Sequence, residues 1–297
     1  MRKKPLILLF AVSLLASCVE PFDIRTDDSP PAIVIYGYLT DEPAYHTVRI
    51  SRSSPYFDTA ANVGISDAEV KITSSNGEVI DFVEVAAVPG TYRTTDRTAG
   101  TPGATYLLSV EVDFDNDGVR EKYTASSMMQ SAVKVDSIEV KHMKIMGNKF
   151  YVLYLYAQDT PAEDYYLGHY RINDTVVLSN ISRLSPMSDA AFNGQYINGL
   201  MIRRFWDASE RENVDENDEQ EYRRVYTSPG DTITFSLSRI EKGYHDFISQ
   251  CQQEMTGENP FFGGPASNIV TNISGGALGY FTTYAFSTAK AVVPEEN

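Results

Sequence analysis

The spacing that specifies the most definite reaction in this chain is Leu15-Ala16-Ser17-Cys18. Small residues there suit a signal peptidase and the thiol that follows can be acylated, so the stretch resembles a bacterial lipobox. Arg2, Lys3 and Lys4 precede an apolar run, Pro5 to Ala16, of 12 residues, too short for a bilayer that needs roughly 20. Residues 1–17 are expected to be a lipoprotein signal peptide and Cys18 the lipidated first residue of the mature chain. Several acyl chains on one cysteine anchor a protein stably, whereas a single chain holds it marginally. The expected state is tethered to a membrane without spanning it.

A second constellation is Asp113-Phe114-Asp115-Asn116-Asp117-Gly118, with acids at positions one, three and five of a calcium loop and glycine at six. Position twelve is Thr124 where such a loop needs a bidentate glutamate, so an acidic hairpin turn is the preferred reading. Asp113, Asp115, Asp117 and Glu121 stand as the candidate Ca²⁺ ligands, and Ca²⁺ is the one cofactor the residues suggest. Between Asp207 and Glu221 there are eight acids and one base, Arg211, the pattern of a solvated loop. Phe261 and Phe262, followed by Gly263-Gly264-Pro265, are candidates for lining a ligand cleft.

Signatures of catalysis are sparse. His46, His142, His169 and His245 lack metal-ligand spacing, and there is no nucleophile elbow, phosphate loop or dinucleotide fingerprint. With Cys18 acylated, Cys251 is the remaining thiol, which excludes an intramolecular disulfide and zinc sites of the CxxC kind. A glycosidase-type carboxylate pair stays open, because spacing in sequence does not report separation in space.

The elements that must position these groups are mostly strands. Residues 18–31 carry three prolines and several acids, the composition of a tether. Period-two apolar runs then recur over residues 32–130: Ile33 to Leu39, Thr47 to Ser51, Ala68 to Thr73, Glu78 to Val85, Thr105 to Val112 and Val119 to Ser126. Asn76-Gly77 supplies a hairpin turn. This segment reads as an Ig-like or transthyretin-like sandwich. Residues 131–297 read as a β-rich domain, with Phe150 to Ala157 buried on both faces and a last strand at Leu278 to Phe286. One amphipathic helix is expected after Ser238, which with Glu241 has capping-box spacing; Ile240, Tyr244, Phe247, Ile248, Cys251 and Met255 form its stripe. Cys251 is therefore expected as a core thiol.

The 297 residues carry 25 Lys and Arg against 40 Asp and Glu, a net charge of −15, so the basic footprint of nucleic-acid binding is absent. Removing the signal, with its three basic and no acidic residues, takes the charge to −18 and favours standing off anionic lipid.

Cys18-Val19-Glu20-Pro21-Phe22, Ile33 to Pro43 running into His46 to Tyr56, Pro89-Gly90-Thr91-Tyr92, Gly230-Asp231-Thr232-Ile233 and Asn272 to Phe281 together resemble the Bacteroidota lipoprotein family built on domain of unknown function 4249. Tyr36 departs from the acidic residue associated with that position. The resemblance implies an outer-membrane lipoprotein, on the periplasmic face or the cell surface, often encoded beside a TonB-dependent receptor. It carries over no catalytic residues. It also makes Thr59, Ser137, Thr175 and Thr232 candidate O-glycosylation sites, each following an aspartate and preceding an apolar residue; a turn opening a strand explains the pattern equally. The leading expectation is a non-catalytic accessory that binds or gates a TonB-dependent transporter in nutrient uptake. A structural or adhesive surface protein comes second and a glycan-active enzyme third.

Overall fold

Seven strands of alternating burial follow one another from Ile33 in the computed structural model, which describes residues 31–53, 63–177, 180–213, 224–256 and 269–295. They are β1 (Ile33–Thr40), β2 (Thr47–Arg52), β3 (Glu69–Ser74), β4 (Val79–Glu84), β5 (Thr91–Thr94), β6 (Thr105–Val112) and β7 (Glu121–Met128). Ile35, Leu39, Val48, Ile50, Ile72, Tyr106, Leu108 and Val110 close on one core, as period-two patterning dictates when one face of a sheet is buried. In the expected β3–β4 hairpin only Gly77 of the Asn76-Gly77 pair takes a positive φ, +87°.

The second half supplies β8 (Val135–Ile145), β9 (Asn148–Gln158), β10 (Tyr165–Ile172), β11 (Thr175–Val176), β12 (Ser185–Ser188), β13 (Tyr196–Asp207), β14 (Tyr226–Thr227), β15 (Thr232–Ile240), α1 (Lys242–Thr256), β16 (Leu278–Tyr284) and β17 (Ser287–Val292). The protein is thus mainly β. One sheet runs β11-β10-β15-β17, with β12 also on β10; the other runs β14-β13-β9-β8. Their inner faces share a core of Tyr151, Leu153, Leu155, Tyr170, Phe205, Ile233, Phe235 and Leu237. Phe150 to Leu153 are buried without alternation, as expected of a strand covered on both sides; Tyr154 and Tyr156 are half-buried beyond them.

The last long strand departs from expectation. β16 does not join the second half: it pairs in parallel with β1, from Val34 opposite Leu278 to Thr40 opposite Tyr284. The first sheet therefore has eight strands, ordered β16-β1-β2-β5-β4-β3-β6-β7. β7 curls back toward β16, where the Thr283 N–H donates to Ser127 Oγ at 3.0 Å and Gln130 bridges Tyr284. The sandwich becomes a near-barrel in which most edge groups are paired. Periodicity identifies a strand but not its partner, so the crossing of the residue-130 boundary was not readable from the pattern.

Helix α1 covers the junction. Tyr244, Phe247 and Ile248 are buried with Tyr280 and Tyr284 of β16 and Leu167 of β10. The expected capping box is absent, since Ser238 lies inside β15. Glu241 caps through its backbone carbonyl, which accepts from the N–H groups of Tyr244 and His245, while its carboxylate accepts from Ser127 Oγ and the Met128 N–H. Met255 is exposed rather than part of the stripe.

Candidate functional site

The outer face of β1 builds the site. Ile33, Ile35 and Leu39 point into the first core, which turns Val34, Tyr36 and Tyr38 toward the second half. Two adjacent clefts share Tyr36 and Tyr38. The larger, about 650 Å³, is also lined by Val34, Arg49, Phe247 and Gly279. The smaller, about 200 Å³, runs past Glu42, His46, His169, Arg171 and Tyr284.

Aromatic contacts fix the walls. Tyr36 stacks on Phe247 with ring centroids 6.2 Å apart, and Tyr38 on Tyr284 at 5.9 Å. The Tyr36 and Tyr244 hydroxyls share a 2.8 Å hydrogen bond. The His169 ring lies 5.3 Å from Tyr284 and 4.9 Å edge-on from Phe286, and its Nε2 is buried with no hydrogen-bond partner among the described residues. Arg171 and Glu42 form a half-exposed ion pair of 3.0 Å at the rim.

Burial decides the protonation of this surface. It pushes the Tyr36 phenol up to about 12, outweighing the hydrogen bond shared with Tyr244, and raises Tyr244 and Tyr284 well above the usual phenol value. Burial, helped by the Arg171 charge, holds the His169 imidazole down to about 3. These groups are neutral at physiological pH, suited to stacking and hydrogen bonding. Burial also pushes the Cys251 thiol up to about 11, so it is a packed thiol beside the cleft rather than a ready thiolate.

The other expected residues fall elsewhere. Cys18, Thr59, Phe261 and Phe262 lie outside the described residues. Asp113, Asp115 and Asp117 do converge, with a carboxylate oxygen from each within 4.8 Å of the others; Glu121 is not in that group. They fold the exposed β6–β7 turn themselves. Asp113 accepts from the N–H groups of Asp117 and Gly118, Asp115 from Asp117, Asp117 from Val119, and Glu121 from Phe114. Ser137 is exposed on β8, beside a register shift, and Thr175 is exposed at the β10–β11 turn. Thr232 is half-buried, and its N–H donates to Asn173 Oδ1 at 2.9 Å. Asp231 before it accepts from Ser228, Asn173 and Thr227; these bonds outweigh burial and hold its carboxyl below the usual range, as in a turn-forming aspartate. None of the four histidines joins a metal-holding group among the described residues: His46 and His169 line the smaller cleft, where His46 bonds the Thr98 carbonyl at 2.8 Å, His142 stands 3.5 Å from Asp207, and His245 lies beside Asp246 on α1.

The sequence marks Ile33 to Leu39 as a strand without giving its tyrosines a site role, although apolar residues at both parities signal two covered faces. Gly37 sits between the tyrosines because a Cβ there would meet Val48 Cγ2 at 2.8 Å. No curated protein matches the chain. Residues 19–290 match the family described as Domain of unknown function (DUF4249), and the chain belongs to that family.

Proposed function

We propose that this protein is an outer-membrane lipoprotein, anchored through acylated Cys18, that acts without catalysis as an accessory of a TonB-dependent transporter and meets it through the Tyr36–Tyr38 cleft. The observation that carries the reading is the aromatic cleft at the junction of the two halves, whose accessible member is Tyr38. Tyr38 remains 36% exposed, beside Arg49 and above fully packed aromatics. Rigid Tyr and Arg surfaces of this kind are enriched at interaction sites, because they bury large areas at low entropic cost. The lipobox at Cys18 and the acidic surface support a body held near a membrane but off its anionic face. The protonation states in the cleft favour holding a partner over proton transfer.

The test is a gentle-detergent pull-down of the tagged full-length protein from outer membranes, with a Cys18→Ala control. Recovery of a TonB-dependent receptor in stoichiometric amount, lost in the control, is the expected result. Recovery of the lipoprotein alone would reject the partnership.

A further inference from the structure

Three aspartates that no sequence motif singles out meet in the interior where β9 hands over to β10. Asp159 follows β9, Asp164 precedes β10 and Asp189 follows β12. The pairing of Tyr165 with Ser188 sets Asp164 beside Asp189, and the Asp164 N–H donates to Asp189 Oδ2 at 2.8 Å. The pairing of Tyr196 with Gln158 brings in the turn before β13, whose Gly194 N–H donates to Asp159 Oδ2 at 2.8 Å. Asp159, Asp164 and Asp189 are only 3%, 5% and 0% exposed, yet one carboxylate oxygen from each lies within 4.8 Å of the others.

Three carboxylates so close and so dry repel one another strongly unless charge is supplied. Arg239 supplies one positive charge, with Nη1 3.5 Å from Asp164 Oδ2. Tyr166 and Thr160 donate hydroxyls to Asp159 and Asp164, which orients those carboxylates without neutralising them. Asp189 Oδ1 is buried and has no hydrogen-bond partner among the described residues. A buried anionic oxygen without a partner is costly, and a cation held by this carboxylate would offset that cost.

We propose that Asp159, Asp164 and Asp189 bind one Ca²⁺ ion. Three carboxylates against one guanidinium leave two negative charges, which a divalent ion offsets. The donors are all hard oxygens, and three oxygens that lie within 4.8 Å of one another can each reach one Ca²⁺ at about 2.4 Å. Mg²⁺ retains several waters, which fits a dry site less well. The ion would pin the β9–β10 loop, the end of β12 and the turn into β13, joining the two sheets of the second half. The β6–β7 hairpin is distinct: Asp115 and Asp117 are exposed and Asp113 is half-buried, so its carboxylates are not held out of water as the interior three are.

The test is calorimetric titration of the chelator-treated full-length protein in detergent with CaCl₂, paired with thermal unfolding. Wild type is expected to bind one Ca²⁺ in the micromolar range, with a midpoint raised by about 5 °C. Asp189→Asn keeps the shape and the bond to Asp164 and is expected to lose the Ca²⁺ shift, while being at least as heat-stable as wild type without Ca²⁺ because a repelling charge is gone. Asp115→Asn in the hairpin is expected to keep the shift. Tb³⁺ luminescence excited through tyrosine and quenched by added Ca²⁺ reads the site in wild type, should the Asp189 variant not fold. Absence of both Ca²⁺ heat and Tb³⁺ signal in wild type would overturn the proposal, as would a shift retained by Asp189→Asn or abolished by Asp115→Asn.

Discussion

The shared hydroxyl bond of Tyr36 and Tyr244 links β1 to α1 at a place where water cannot substitute freely, since Tyr244 is 1% exposed. Removing one partner strands the other, and removing both does not. Tyr36→Phe is expected to cost about 1–2 kcal/mol in urea unfolding, and Tyr36→Phe with Tyr244→Phe to recover most of it; additive losses would contradict the pairing. His169 makes a second residue-scale prediction. In the unfolded chain its imidazole takes a proton from about pH 6.5, whereas in the fold it resists until about 3. Between those values the unfolded state binds more protons, so acid favours unfolding and this contribution is lost as pH falls below 6.5. Relative to His169→Phe, which keeps the ring packing, wild type is expected to lose up to about 2 kcal/mol between pH 7 and pH 5. Parallel pH profiles for the two proteins would show that the imidazole is not held neutral by the fold.

The parallel seam between β16 and β1 is the element on which the cleft depends, and Gly279 makes it feasible. Its φ is +99°, and a Cβ there would meet the Ile35 carbonyl oxygen at 2.1 Å. Gly279→Ala is expected to destabilise by about 3 kcal/mol or more, read as a lowered midpoint of thermal unfolding. An unchanged midpoint would mean that the seam does not form as described. Much at this scale was legible in the chain: the alternation of Tyr106, Leu108 and Val110, the continuous run at Phe150 and the helix after β15 all follow from local period. What escaped depends on long-range pairing. Residues 278–284 look the same whether they pair with β15 or β1, and Asp189 joins Asp159 and Asp164, which flank one short loop, only because β10 pairs with β12. The Ser238–Glu241 spacing misled for a related reason, since β15 pairs with β10 through Ser238 and Ile240 before the helix begins.

At the scale of the whole molecule, two β units are joined by a strand exchanged across the chain and by an aromatic cluster from β1, β10, α1 and β16. That joint buries aromatics on one side and leaves Tyr38 accessible on the other, so the cleft sits on a braced support rather than on a loop. A lipid tether at Cys18 would confine this surface to the neighbourhood of membrane proteins and raise its effective concentration toward them. The central claim is that the Tyr38 wall meets a TonB-dependent transporter. Site-specific photo-crosslinking in living cells tests it most directly, with p-benzoylphenylalanine placed at Tyr38 and, as control, at Leu107, which is 47% exposed on β6. A light-dependent adduct with a TonB-dependent receptor at Tyr38 and none at Leu107 is the predicted result. No adduct at Tyr38, or equal adducts at both positions, would contradict the account.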